Sequence, residues 1–163
     1  MVTMSNSTIW SRTQSLLIFY VFKTDKEFNE FRAALDIVLN ESNVRRLKVV
    51  VLIKDLNENI LRHSLFSYIS ERDIHFFNIE LKKKAKNEFG YQLDIARHSA
   101  YDLLLSFGEP SPKVLKWLNK IEINKKIGIN MDGLKTFNLN LESTSQSVTD
   151  CVLFTRDTLQ KIK

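Results

Sequence analysis

Few residues of this chain have the type and spacing that chemistry requires, and most of them lie in one short loop. In YDLLLSFGEPSPKVLKWL, residues 101–118, Ser106, Gly108 and Ser111 fall between an apolar run and an amphipathic one. Gly108 permits a tight turn or a close backbone approach. A helix beginning at Ser111 would turn its free N–H groups and positive dipole end toward the loop, an arrangement suited to an anion. Glu109 opposes that use by repelling a phosphate, and Pro110 and Pro112 remove N–H donors. Asn130, Asp132 and Gly133 follow the next apolar run and would add polar contacts beside the same pocket, although Asp and Gly are ordinary turn residues. The ligand-binding candidates are therefore Ser106, Gly108, Ser111, Asn130 and Asp132.

Chemistry that needs a fixed motif is excluded. No G-x-G-x-x-G and no G-x-x-x-x-G-K-[ST] occurs, and the turn over residues 22–26 has no glycine. His63, His75 and His98 are too scattered for a metal site. The chain has one cysteine, Cys151, so it can form neither an internal disulfide nor a cysteine zinc site. The spacing puts Cys151 on the core face of a helix, where it reads as a small hydrophobe rather than a nucleophile. No G-x-S-x-G elbow is present. No catalytic residue, metal or cofactor is expected.

The formal net charge of +5 and pI of 9.3 direct attention to the lysines. Lys113, Lys116 and Lys120 recur along one helix face, and Lys125 and Lys126 extend that side. Arg45, Arg46 and Lys48 precede an apolar strand, and Lys82, Lys83, Lys84 and Lys86 form the densest charge run. Joined into one surface they would hold RNA or DNA phosphates. Lysine at helical spacing is also what a solvated face looks like, and no nucleic-acid-binding motif accompanies it.

The elements that must position these groups follow from the apolar pattern. SLLIFYVF (residues 15–22) and LKVVVLI (47–53) are apolar on both faces, as strands covered on both sides of a parallel sheet are. Between them Thr24 and Glu27 form a capping box, and Phe28, Phe31, Leu35, Val38 and Leu39 recur at helical steps to about residues 40–43. A βαβ crossover places both strands in one parallel sheet. Residues 101–107, a helix capped by Ser111 with Pro112 at its first position, and residues 126–130 repeat that logic. TFNLNLE (136–142) alternates Phe137, Leu139 and Leu141 inward, as an edge strand with one wet face would. Ser147 and Asp150 cap a last helix whose Cys151, Phe154, Thr155, Thr158 and Ile162 share a face. Residues 55–100 show no clean period: a loop or short helix, a short segment near 74–79 and a helix over 91–101 are expected there. Residues 1–14 are polar and expected to be flexible, with a single α/β domain over 15–163. The fold class is a three-layer Rossmann-like sandwich, with a mostly parallel sheet, an edge strand and helices on both faces. Ligands in such sheets sit beyond the carboxyl ends of strands, here the loops 23–26, 54–58, 106–111 and 130–135.

The stretches LLIFYVFKTDKEFNEF, RRLKVVVLI, YDLLLSF, KKIGIN and the closing helix together resemble an uncharacterised family of small α/β proteins from Bacteroidota. That resemblance implies no activity and transfers no site residue. Residues 101–130 also look like the strand-helix-strand pattern in the N-terminal domain of heptosyltransferase-like glycosyltransferases. This likeness implies a fold, and the second domain with which such enzymes bind a nucleotide sugar is not expected here.

No apolar run approaches the ~20 residues of a membrane helix, so no membrane insertion is expected, and a cytoplasmic location is the default. The missing catalytic motifs and basic charge favour a non-catalytic interaction module that docks onto a protein or ribonucleoprotein assembly. The alternatives are a protein or enzyme that takes a small anionic or nucleotide-like ligand at residues 106–111, and an RNA-binding protein acting through its lysines.

Overall fold

A computed structural model describes residues 7–53, 101–121, 123–131, 137–144 and 147–163, and the backbone of 71–78. Six strands form one sheet: β1 (Ser15–Val21), β2 (Arg46–Ile53), β3 (Glu71–Asn78), β4 (Leu103–Phe107), β5 (Lys125–Ile129) and β6 (Leu139–Leu141). Their order is β3-β2-β1-β4-β5-β6, and every neighbouring pair is parallel. The described helices are α1 (Ile9–Arg12), α2 (Asp25–Asn40), α3 (Pro112–Leu118) and α4 (Val148–Leu159).

Alternation along β1 builds both outer layers. Leu16, Ile18 and Tyr20 join a core with Phe28, Phe31 and Leu35 of α2 and Val152 and Leu159 of α4. Leu17 and Phe19 point the other way, to Val114 and Leu118 of α3. A strand with helices on both faces must be apolar at every position, which is why SLLIFYV shows no alternation. Phe31 is the hub of the first core: its ring stacks on Tyr20 at 4.3 Å and meets Phe107 edge-on at 5.2 Å. At the amino end Asp102 joins β4 to β1. Its Oδ2 accepts from the amides of Gln14 and Ser15 at 2.9 and 3.1 Å, and its own amide donates to Ser15 Oγ at 2.9 Å.

Several expectations change. Residues 7–14, placed in the flexible segment, carry α1, whose Ile9 and Trp10 are buried beneath α4. The Ile9 amide donates to Ile162 O at 2.8 Å, and Thr8 and Ser11 form a reciprocal cap. A helix of four residues is too short to show a period, so only its packing reveals it. Of the capping box foreseen for α2, the Thr24 half forms: Thr24 Oγ1 accepts from the Glu27 amide at 3.1 Å. β6 is shorter than residues 136–142, and Phe137 packs on the α3 face while Leu141 packs on the α2–α4 face. Asn138 causes the switch. Its amide and its Oδ1 both bond Lys126 of β5 at 2.7 Å, which turns the chain just before the strand. In α4 the buried stripe is Val152, Thr155 and Leu159, and Cys151 and Phe154 are only half-buried. The segment expected near 74–79 is the strand β3, Glu71–Asn78; the expectations for residues 55–70 and 79–100 lie outside the described residues.

Phe31→Ala should cost about 3–5 kcal/mol in chemical denaturation, the usual loss for a buried aromatic. Ile37→Ala, at a side chain 55% exposed on the outer face of α2, should change stability by less than about 0.5 kcal/mol.

Candidate functional site

The strand order fixes where a cleft opens. β1 runs out into α2 on one face of the sheet, and its neighbour β4 runs out into α3 on the other. Loops that part in opposite directions leave a crevice at the carboxyl ends of the two strands, the topological switch point. There the structure has an open cleft of about 430 Å³. Tyr20 and Val21 end β1 at its wall, Lys23 and Glu27 enter from the start of α2, and Phe107 to Glu109 enter from the end of β4. Ile129 and Asn130 close one side, and Ser147, Val148 and Cys151 at the start of α4 complete the lining.

Of the five sequence candidates, the structure brings Gly108 and Asn130 to this cleft. Gly108 has φ +95°, and a Cβ there would lie 2.9 Å from Val21 Cβ, so only glycine lets β4 leave so close beside β1. Asn130 has φ +57°, a left-handed conformation that Asn tolerates. Three bonds hold it there. Its amide donates to Leu141 O at 2.7 Å, its Oδ1 accepts from the Ser143 amide at 2.7 Å, and its Nδ2 donates to Cys151 Sγ at 3.6 Å. Asn130 thus fixes the wall between β5, the strand β6 and α4, with both ends of its amide group already engaged.

Ser106 and Ser111 do not join. Ser106 is fully buried, shares the Leu104 face of β4 toward α3, and donates to Gly108 O at 3.2 Å. Ser111 occupies the N-cap position of α3, yet its side chain makes no cap bond and its buried Oγ has no partner. The cap expected from Ser111 is therefore positional only. Asp132 lies outside the described residues. The anion cradle drawn from residues 106–111 reduces to Gly108 and Glu109 on one side of a wider cleft.

Tyr20, Glu27, Ser147 and Cys151 were not singled out as ligand contacts, although two signals for them stand in the sequence. Thr24 and Ser147 both cap helices that start at the carboxyl edge, which marks residues 23–27 and 147–151 as lining. Burial pushes the Tyr20 phenol well above its ordinary value, and Glu27 and Glu30 nearby add to the effect, so it stays a neutral hydroxyl. Burial likewise raises the Cys151 thiol. The positive ends of the two helices are already partly answered. Thr24 and Ser147 each take a first-turn N–H, and Asp25, Glu27 and Asp150 stand in those first turns.

The described members of the basic surface set sit elsewhere. Lys113, Lys116 and Lys120 are exposed on or just after α3, across the sheet from α2 and α4, with Lys120 Nζ 5.0 Å from the centre of the Trp117 ring. Lys126 Nζ donates to Leu118 O at 2.8 Å, and Lys48 is buried in β2. Lys82, Lys83, Lys84 and Lys86 lie outside the described residues. Among the described residues no cluster of His, Cys, Asp or Glu is arranged to hold a metal ion, and no helix is long and apolar enough to cross a membrane.

No protein-family model and no curated protein matches the chain. A glycosyl transferase of family 9 from Veillonella parvula DSM 2008 superimposes with a TM-score of 0.58 at 11% identity, over 94% of this chain and 43% of that one. The fold is that of a Rossmann-like α/β domain. At that identity the likeness is one of fold alone, and this domain spans less than half the length of the glycosyl transferase. A phenylacrylic acid decarboxylase from Aquifex aeolicus matches more loosely, with a TM-score of 0.37 at 11% identity over 92% of this chain and 98% of that one.

Gly108→Ala should destabilise this Rossmann-like domain by about 1–3 kcal/mol, read by denaturant midpoint, because it adds left-handed strain to a steric clash. Cys151 should react with a thiol reagent more slowly at neutral pH than in urea-unfolded protein. Its rate should keep rising beyond the ordinary thiol pKa of about 8.5, since a raised pKa leaves less thiolate at any given pH.

Proposed function

We propose that this chain is a small-molecule-binding domain that receives its ligand in the cleft bounded by β1, β4, β5 and the start of α4. The observation that carries this reading is the position of the cleft: a polar-lipped cavity over an aromatic wall, at the switch point of a parallel sheet. Its volume of about 430 Å³ lies within the range of sites that enclose small ligands. A docking module would be favoured by an exposed apolar surface, and among the described residues Ile37 is the one large hydrophobic side chain left exposed. No reaction is carried over from the glycosyl transferase, whose likeness is one of fold, and the Bacteroidota resemblance brings no activity either.

Cys151 provides the test, being the chain's single cysteine and part of the cleft lining. A compound that occupies the cleft should raise the melting temperature by mass action, about 2.7 kcal/mol at a hundredfold excess over Kd, and should slow labelling of Cys151 in parallel. Protein already labelled at Cys151 should bind that compound weakly. A compound that stabilises the protein and leaves Cys151 labelling unchanged would overturn the proposal.

A further inference from the structure

The cleft also discriminates by charge, which deepens the reading above and rests on it. Among the described residues its charged lining is one lysine, Lys23, and two glutamates, Glu27 and Glu109, so acid exceeds base by one. The whole chain carries +5, so the cleft runs against the charge of the molecule. In the first turn of α2 Asp25 is offset by Lys26, while Glu30 near Tyr20 and Asp150 in the first turn of α4 add to the acidic side. The helix ends that would otherwise attract an anion each spend a first-turn N–H on their own cap. Among the described residues an incoming phosphate would meet two carboxylates and one exposed lysine.

The same groups suit the opposite partner. The Glu27 and Glu109 carboxylates are acceptors only, and Asn130 directs one N–H and one acceptor position of its amide group into the wall. Tyr20 and Phe107, both buried and packed against Phe31, add an apolar base to the cleft. The geometry points to a ligand that carries hydrogen-bond donors and no net negative charge, an amine or a polyhydroxyl compound, bound through Glu27 and Glu109 against the aromatic wall. The anionic or nucleotide-like ligand expected from the loop over residues 106–111 is the class this arrangement rejects.

Three panels at fixed ionic strength test this, each read by melting temperature and by protection of Cys151. One holds primary amines and amino alcohols, the second neutral hexoses and inositols, and the third inorganic phosphate, sugar phosphates and nucleoside monophosphates. Protection is expected from the first or second panel, whichever holds the matching donors, and none from the third. Glu27→Gln combined with Glu109→Gln should weaken an amine about tenfold, the loss of a charge-assisted hydrogen bond. The cap of α2 uses the Glu27 amide rather than its carboxylate, so the variant should melt close to the parent. Protection of Cys151 by phosphates, or unchanged binding in the double variant, overturns this inference and leaves the cleft reading intact. Absence of protection by any panel overturns both.

Discussion

The structure depends on the double burial of β1. This strand has parallel neighbours on both edges and helices on both faces, and its Leu16, Leu17, Ile18 and Phe19 are completely enclosed. In that position every backbone amide needs a ladder partner and every side chain needs an apolar neighbour. The order β3-β2-β1-β4-β5-β6 follows with β1 near the middle. The sheet then grows outward from it in both directions, and the helices that leave β1 and β4 are driven to opposite faces. The cleft is a consequence of that divergence rather than a separate feature of the chain.

Local devices hold the cleft's shape. Gly108 lets β4 depart within contact of Val21, where any side chain would push the strands' exits apart. Asn130 uses a left-handed backbone and three hydrogen bonds to bind the end of β5 to β6 and α4. Beneath them Tyr20, Phe31 and Phe107 form a packed aromatic floor. Binding groups sit on element ends that cores hold in place, the usual way for loops to carry function on a stable frame. Among the described residues Lys113, Lys116 and Lys120 are exposed on the α3 side of the sheet, while the cleft lining sets Glu27 and Glu109 against Lys23.

Much of this frame is legible in the residues. Largely apolar runs mark β1, β2 and β4 to within two residues, and Thr24 with the Phe28–Phe31–Leu35 stripe marks α2, because burial and capping act over short stretches of sequence. What is not legible depends on contacts between distant segments. α1 is held by Ile162 and by the core under α4, Phe137 is turned to the far face by a bond from Asn138 to Lys126, and Cys151 is set at the cleft by the placement of α4. The site divides in the same way. Gly108 and Asn130 could be found because turn and positive-φ residues after strands are local signals. Glu27, Ser147 and Cys151 belong to the cleft only through the sheet order, and Ser106 and Ser111 look like ligand contacts until Ser106 is found buried toward the α3 side and the Ser111 Oγ enclosed.

The central claim is that this Rossmann-like domain binds at the β1–β4 switch point. The most direct measurement is a residue-resolved amide NMR titration with the compound that most stabilises the protein. The account predicts shifts concentrated at residues 20–27, 107–109, 129–130 and 147–151, with the outer face of α3 unmoved. Shifts confined to residues 113–120, with the cleft silent, would contradict it.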